Sequence, residues 1–122
     1  MRPRFGYVLG NLSIDYAKRM VEEAGFDSIW LYDHFMHWSH KDGVRNPELC
    51  MMALAVMPIV LDRTSCPVGI SVISPILRYH PAIIAQYFAQ LDYLYPNRVI
   101  LGIGTGEAMN EIPTVGFFPT IR

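Results

Sequence analysis

Short apolar runs alternate along this chain with longer stretches whose apolar residues recur every three to four positions. Residues 4–9 (RFGYVL) are aromatic and β-branched and are followed by the turn residues Gly10 and Asn11, which predicts a strand. From Ser13 to Ala24, Ile14, Ala17, Met20, Val21 and Ala24 share one helical face. Ser13 suits the N-cap and Gly25 the C′ position, which predicts an amphipathic helix. Ser28 to Tyr32 (SIWLY) reads as a second strand, apolar enough to be buried on both faces. A histidine-containing polar loop follows. Asn46-Pro47-Glu48 then offers a cap, a first-turn proline and a first-turn acid, so a second helix is expected from there to about Arg63, kinked or cut short at Pro58. Cys66 to Val72 predicts a third strand and Pro81 to Tyr95 a third helix, stopped by Pro96-Asn97. Val99 to Ile103 predicts a fourth strand, broken by Gly104-Thr105-Gly106.

Strands and helices in strict alternation imply an α/β fold with a parallel sheet and right-handed crossovers. A βα unit of about 30 residues suits a doubly wound sheet or a barrel. Length alone, 122 residues, favours the former. Against that, no helix is expected to cover the fourth strand, so the chain reads as the front part of something larger.

Composition narrows the function classes. The chain is 52% hydrophobic and 17% charged, with ten Lys+Arg against eleven Asp+Glu, which is globular and carries no basic footprint for nucleic acid or anionic lipid. Two cysteines, Cys50 and Cys66, make no disulfide framework and fit a reducing, cytoplasmic setting. The N-terminus has no signal-peptide core, and the longest uncharged run, residues 49–61, falls short of the roughly 20 residues that span a bilayer. No membrane or nucleic-acid partner is expected.

In parallel βα folds chemistry gathers in the loops at the carboxyl ends of the strands. Three such loops are polar here. The first carries Asp33, which can orient the ring of His34, and Trp38, an aromatic wall with an indole donor. His34, His37 and His40 recur at three-residue spacing but lack an independent fourth ligand motif, so no metal is expected. The second loop runs from Ser71 to Pro75 and on to Arg78-Tyr79-His80-Pro81, where Arg78 reads either as an exposed cation at a helix start or as an anion contact. The third is Gly104-Thr105-Gly106-Glu107. It allows close backbone approach to a ligand, yet it is neither a full dinucleotide fingerprint nor a Walker loop, and Glu107 and Glu111 suit a helix's first turn by dipole alone.

Together these segments resemble the luciferase-like flavin and deazaflavin oxidoreductases, and most of all their branch of coenzyme F420-dependent sugar-phosphate and alcohol dehydrogenases. The resemblance rests on Asp33-His34-Phe35 with Trp38, on residues 71–75, on Arg78-Tyr79-His80-Pro81 through Gln86, on residues 94–99, and on residues 104–111. It implies a (β/α)8 TIM barrel, of which residues 1–122 would be an incomplete N-terminal portion with the first four strands and three complete helices. It further implies a homodimer at full length and little activity from the isolated chain. Carried across by position, it makes His34 the group that exchanges a proton with a substrate hydroxyl, Glu107 the acid or base at the deazaflavin ring, and Trp38 a wall of the substrate pocket. Asp33, Ser74, Thr105, Gly106 and Asn110 match cofactor contacts, and Ser71-Val72 matches a bulge with a non-prolyl cis peptide behind the ring.

Two departures limit the resemblance. The loop after the first strand is short and lacks the branch's pocket glutamate, and the cations that bind a sugar phosphate belong to a later part of the barrel. The expected activity is therefore F420-dependent hydride transfer with a small alcohol or sugar-type substrate. The alternatives are an FMN-dependent monooxygenase of the same superfamily and a non-catalytic βα binding module.

Overall fold

The computed structural model describes residues 2–10, 12–36 and 50–119. Its elements are β1 (Gly6–Val8), α1 (Ile14–Glu22), β2 (Ser28–Leu31), α2 (Ala53–Arg63), β3 (Val68–Ile73), α3 (Pro81–Leu94), β4 (Val99–Ile103) and α4 (Ala108–Val115). All four strands are parallel and lie in the order β1-β2-β3-β4. A doubly wound sheet reverses direction at a switch point. Here each strand adds on the same side as the last, as in a barrel wall.

The strands' pattern of side chains explains the two layers. Ile29 and Leu31 of β2 and Val68 and Ile70 of β3 are fully buried. They share a core with Ala17 of α1, with Met57, Val60 and Leu61 of α2, and with Ile84, Phe88 and Leu91 of α3. On the opposite face Trp30 lies over glycines. It pairs in register with Gly69, and a Cβ placed at Gly69 or at Gly6 would run into the indole ring. Those two glycines are what let one large side chain lie across three strands, with its Nε1 donating to Ser28 Oγ at 2.9 Å. At the outer strands, Val8 and Ile103 stay about 60% exposed (58% and 62%).

Two expectations are corrected. The second helix begins at Ala53 rather than at Asn46-Pro47, which lie outside the described residues; Cys50–Met52 are not helical. Its first turn is capped from elsewhere, since the Ala53 amide donates to Asp33 Oδ1 at 3.0 Å. Nor does the helix end at Pro58. A proline there removes the N–H that would bond Leu54 O, and the Tyr87 hydroxyl of α3 donates to that carbonyl at 2.6 Å instead. The second correction is a fourth helix after β4, where the sequence suggests only a helix's first turn at Glu107 and Glu111. The residues of α4 buried inward are Asn110 and Glu111, while Ile112 and Val115 are exposed (48% and 36%). A helix whose inward side is polar leaves no hydrophobic signature. It is held by hydrogen bonds and charge, and those bonds build the site.

Candidate functional site

At the carboxyl end of the sheet, β3 departs from regular pairing. The Ser71–Val72 peptide is cis, and the β3–β4 register shifts between Ile70 and Ile73. Pairing resumes with Ile73 opposite Ile103, and the Gly104 amide donates to Ile73 O at 2.9 Å. The facing strand accommodates the bulge with glycine. A Cβ at Gly102 would meet the Ile70 carbonyl oxygen, and one at Gly104 would meet the Val72 side chain. Gly106 follows with φ 85°, in the left-handed region. A Cβ there would stand 2.8 Å from Ser74 Oγ and 3.1 Å from Glu111 Oε1. Chain and side chains thus crowd together where only a glycine fits.

Behind this bulge lies a buried charge cluster. The Asp33 and Glu111 side chains are 0% and 1% exposed, and that of Arg78, between them, is 11% exposed. Arg78 Nη2 donates to Asp33 Oδ2 at 2.7 Å, while the Arg78 backbone N–H donates to Glu111 Oε2 at 3.1 Å. Charges this far from water persist only when paired and hydrogen-bonded. The second arm is incomplete: Arg78 Nε and Glu111 Oε1 are 3.8 Å apart, near enough to attract and too far to hydrogen-bond. Tyr79 completes the cluster, donating to Asp33 Oδ1 at 3.4 Å with the Arg78 guanidinium 4.8 Å from its ring centre. Its phenol is pushed up to about 12, chiefly by burial and next by the Asp33 charge, with Arg78 opposing.

Asn110 forms a second tie. Its side-chain carbonyl accepts from the backbone N–H groups of both Phe35 and Met36 at 2.9 Å, and its amide donates to Glu107 Oε2 at 3.5 Å. One buried side chain on α4 therefore touches the segment after His34 and the carboxylate of Glu107.

A cavity of about 330 Å³ opens among these groups. Asp33 and His34 line it from the end of β2, Ser71, Val72 and Ser74 from β3, and Thr105, Gly106, Glu107 and Asn110 from the segment after β4. The structure thus brings together every site residue expected from the sequence except Trp38, which lies outside the described residues along with His37 and His40. Four buried polar atoms here have no hydrogen-bond partner among the described residues: His34 Nδ1, Ser74 Oγ, Arg78 Nε and Glu111 Oε1. A ligand with polar edges would find donors and acceptors waiting. An adjoining, more apolar cavity of about 470 Å³ shares Asp33, His34 and Arg78 and adds Phe35, Cys50, Met52 and Tyr79. His34 lines both, with its ring edge-on to Tyr32 at 5.4 Å.

Asp33 lines the cavity while its carboxylate is taken up by Ala53, Arg78 and Tyr79. Sequence reasoning gave no role in the site to Glu111 and left Arg78 open between surface cation and anion contact. Arg78 pairs with carboxylates and is nearly buried. Among the described residues no cluster of three or more His, Cys, Asp or Glu is placed to hold a metal, and no helix is long and apolar enough to cross a membrane.

The family described as luciferase-like monooxygenase matches residues 13–119. The chain is 48% identical over 104 residues to an F420-dependent glucose-6-phosphate dehydrogenase of Amycolatopsis mediterranei, covering 84% of this chain and 29% of that protein. The homologous enzyme of Kineococcus radiotolerans is 51% identical over 103 residues, with the same coverage. Among solved structures, an F420-dependent secondary alcohol dehydrogenase in complex with an F420-acetone adduct superposes with a TM-score of 0.84 at 36% identity. It covers 99% of this chain and 37% of that one. The chain thus spans about three tenths of the length of these curated relatives.

Proposed function

Because the chain belongs to the luciferase-like monooxygenase family, we propose that its cavity is the deazaflavin site of an F420-dependent oxidoreductase acting on a small alcohol or sugar-type substrate. The observation that carries this reading is a single juxtaposition. The β3 bulge at Ser71–Val72 faces the Gly104–Gly106 turn, with His34 and Glu107 lining the same cavity. The names of the relatives support F420 over FMN.

The residues present fit such a group. Glycines at 102, 104 and 106 keep side chains off the bulge, and Ser74 Oγ at its edge has no hydrogen-bond partner among the described residues. Ser71, Val72, Ser74, Thr105, Gly106 and Asn110 would hold the cofactor, with Asp33 contributing at the cavity edge. When bound, F420 supplies the hydride-carrying centre. The protein's own task is then to orient and to move protons. His34, lining both cavities, exchanges a proton with the substrate hydroxyl, and Glu107, hydrogen-bonded through Asn110, handles the proton at the ring. Trp38 is assigned the wall of the substrate pocket by family position. On the same reading, residues 1–122 are the first half of an eight-stranded barrel in a cytoplasmic, homodimeric enzyme.

The test is a titration of the full-length protein with F420 and separately with FMN, followed by Glu107→Gln. Saturable F420 binding, with turnover reduced by about 100-fold or more in the variant, is expected for loss of a positioned proton-transfer group. Tight FMN binding with indifference to F420 would move the protein to the oxygen-using side of its family. Binding of neither would leave the scaffold without this chemistry.

A further inference from the structure

We propose that Arg78 is a positioning residue that fixes the spacing between His34 and Glu107, an inference that rests on the roles proposed for those two groups. Among the described residues neither group hydrogen-bonds to Arg78, so its influence passes through neighbours. Two routes exist. Through Asp33, Arg78 holds the residue next to His34: Nη2 donates to Asp33 Oδ2 at 2.7 Å and reaches the Asp33 carbonyl at 3.5 Å. Through Glu111, it holds the first turn of α4, which opens at Glu107: the Arg78 backbone N–H donates to Glu111 Oε2 at 3.1 Å, the guanidinium Nε stands 3.8 Å from Glu111 Oε1 as an ion pair, and the Glu111 amide donates to Glu107 O at 2.9 Å. No other side chain in the cluster reaches both the end of β2 and α4 with a charge.

The alternative is that Arg78 merely neutralises two buried carboxylates. Geometry argues for more than that. Asp33 uses its second oxygen to cap α2 at Ala53, so turning its carboxylate away from Arg78 would release that helix start. Glu111 is adjacent to Asn110, whose carbonyl holds the Phe35 and Met36 amides. A guanidinium presents donors in a fixed planar fork, and a point-charge ammonium does not. Arg78→Lys therefore keeps the charge and the backbone N–H bond to Glu111, and removes the guanidinium's reach to Asp33 and to Glu111 Oε1. It is the variant that separates the two roles.

The experiment has one readout that needs no cofactor and one that does. Amide hydrogen exchange in Arg78→Lys is expected to speed at least about tenfold at Ala53, Phe35 and Met36, while Val68 and Ile29 in the sheet keep their protection. In the full-length protein, kcat is expected to fall about 100-fold with F420 affinity changed less than about threefold, the pattern of misplaced rather than missing catalytic groups. Glu111→Leu, which removes both side-chain acceptors and so cuts only the α4 arm, is expected to loosen Phe35 and Met36 and spare Ala53. Unchanged exchange at all three amides in Arg78→Lys, a uniform loss of protection across the sheet, or unaltered kcat per folded molecule would overturn the proposal. If the wild-type protein binds no F420, the functional reading fails while the exchange pattern still decides the structural half of this one.

Discussion

Two arginines, one at each end of the sheet, are tied down in opposite ways. Arg98, just before β4, donates to three backbone carbonyls at the floor of the molecule: Thr64 O at 2.5 Å, Leu61 O at 2.9 Å and Cys66 O at 3.1 Å. It caps the end of α2, where a cation is favoured by the helix dipole, and it stands 5.7 Å from the Tyr95 ring centre. All its acceptors are neutral, and each of its bonds is a structural one. Arg78, at the opposite end, faces two buried carboxylates, and its Nε has no hydrogen bond among the described residues. Among the described residues the buried side-chain polar atoms of the floor are paired, whereas the cavity end carries both donors and acceptors without partners. A region that has satisfied every polar group is finished as structure. One that has not is arranged for something else.

Removing Asp33 is expected to have the largest effect on stability. Asp33→Ala deletes the better partner of a buried cation and the cap of α2 together. Breaking such a pair costs about 3–5 kcal/mol. Urea unfolding measures it, and a loss under 1 kcal/mol would mean that water reaches the cluster in solution. Arg98→Met comes next, at about 2 kcal/mol for charge-assisted bonds to carbonyls that can partly rehydrate. The contrast is sharper in binding. Asp33→Ala should weaken ligand binding at the cavity in the molecules that remain folded, while Arg98→Met should leave it within about twofold. Equal effects on binding would erase the distinction between the two ends.

The same contrast explains what was legible in the sequence. All four strands could be read because their apolar residues, Ile29, Leu31, Val68 and Ile70 among them, answer to one hydrophobic core. Position alone brought His34, Ser74 and Glu107 to one end of the sheet. What stayed hidden was whatever polar chemistry organises over long separations. Arg78 reads locally as a cation at a helix start, and only a carboxylate 45 positions away turns it inward. The start of α2 was misplaced because its cap comes from Asp33 rather than from the residues preceding it. Pro58 reads as a kink or an early end because the hydroxyl that takes the place of its missing donor sits on another helix. Apolar burial is additive and leaves a period in the sequence. A network of specific pairs leaves none.

The smallest effect expected is also the most selective probe of the cavity end. Tyr79 and Tyr87 both have phenols pushed up to about 12 from 10.0, for different reasons. Burial accounts for Tyr87, which sits between α3 and α2 with its hydroxyl on Leu54. For Tyr79 the Asp33 charge adds to burial and Arg78 offsets part of the rise. A phenol whose folded value lies above its unfolded one stays protonated longer when folded, so its contribution to stability is complete below pH 10. That contribution drains away between pH 10 and about 12. Tyr87→Phe and Tyr79→Phe should each flatten part of the alkaline loss of stability. Only Tyr79 should respond to Asp33→Asn, which removes a negative neighbour and lowers the phenol toward its burial-only value, leaving Tyr87 where it was. Tyrosinate absorbance of the folded protein, with each phenylalanine variant as a subtraction control, separates the two. If Tyr79 holds its value in Asp33→Asn, the Asp33 charge is not felt at the phenol. The cluster at the cavity end would then be as screened as the floor it contrasts with.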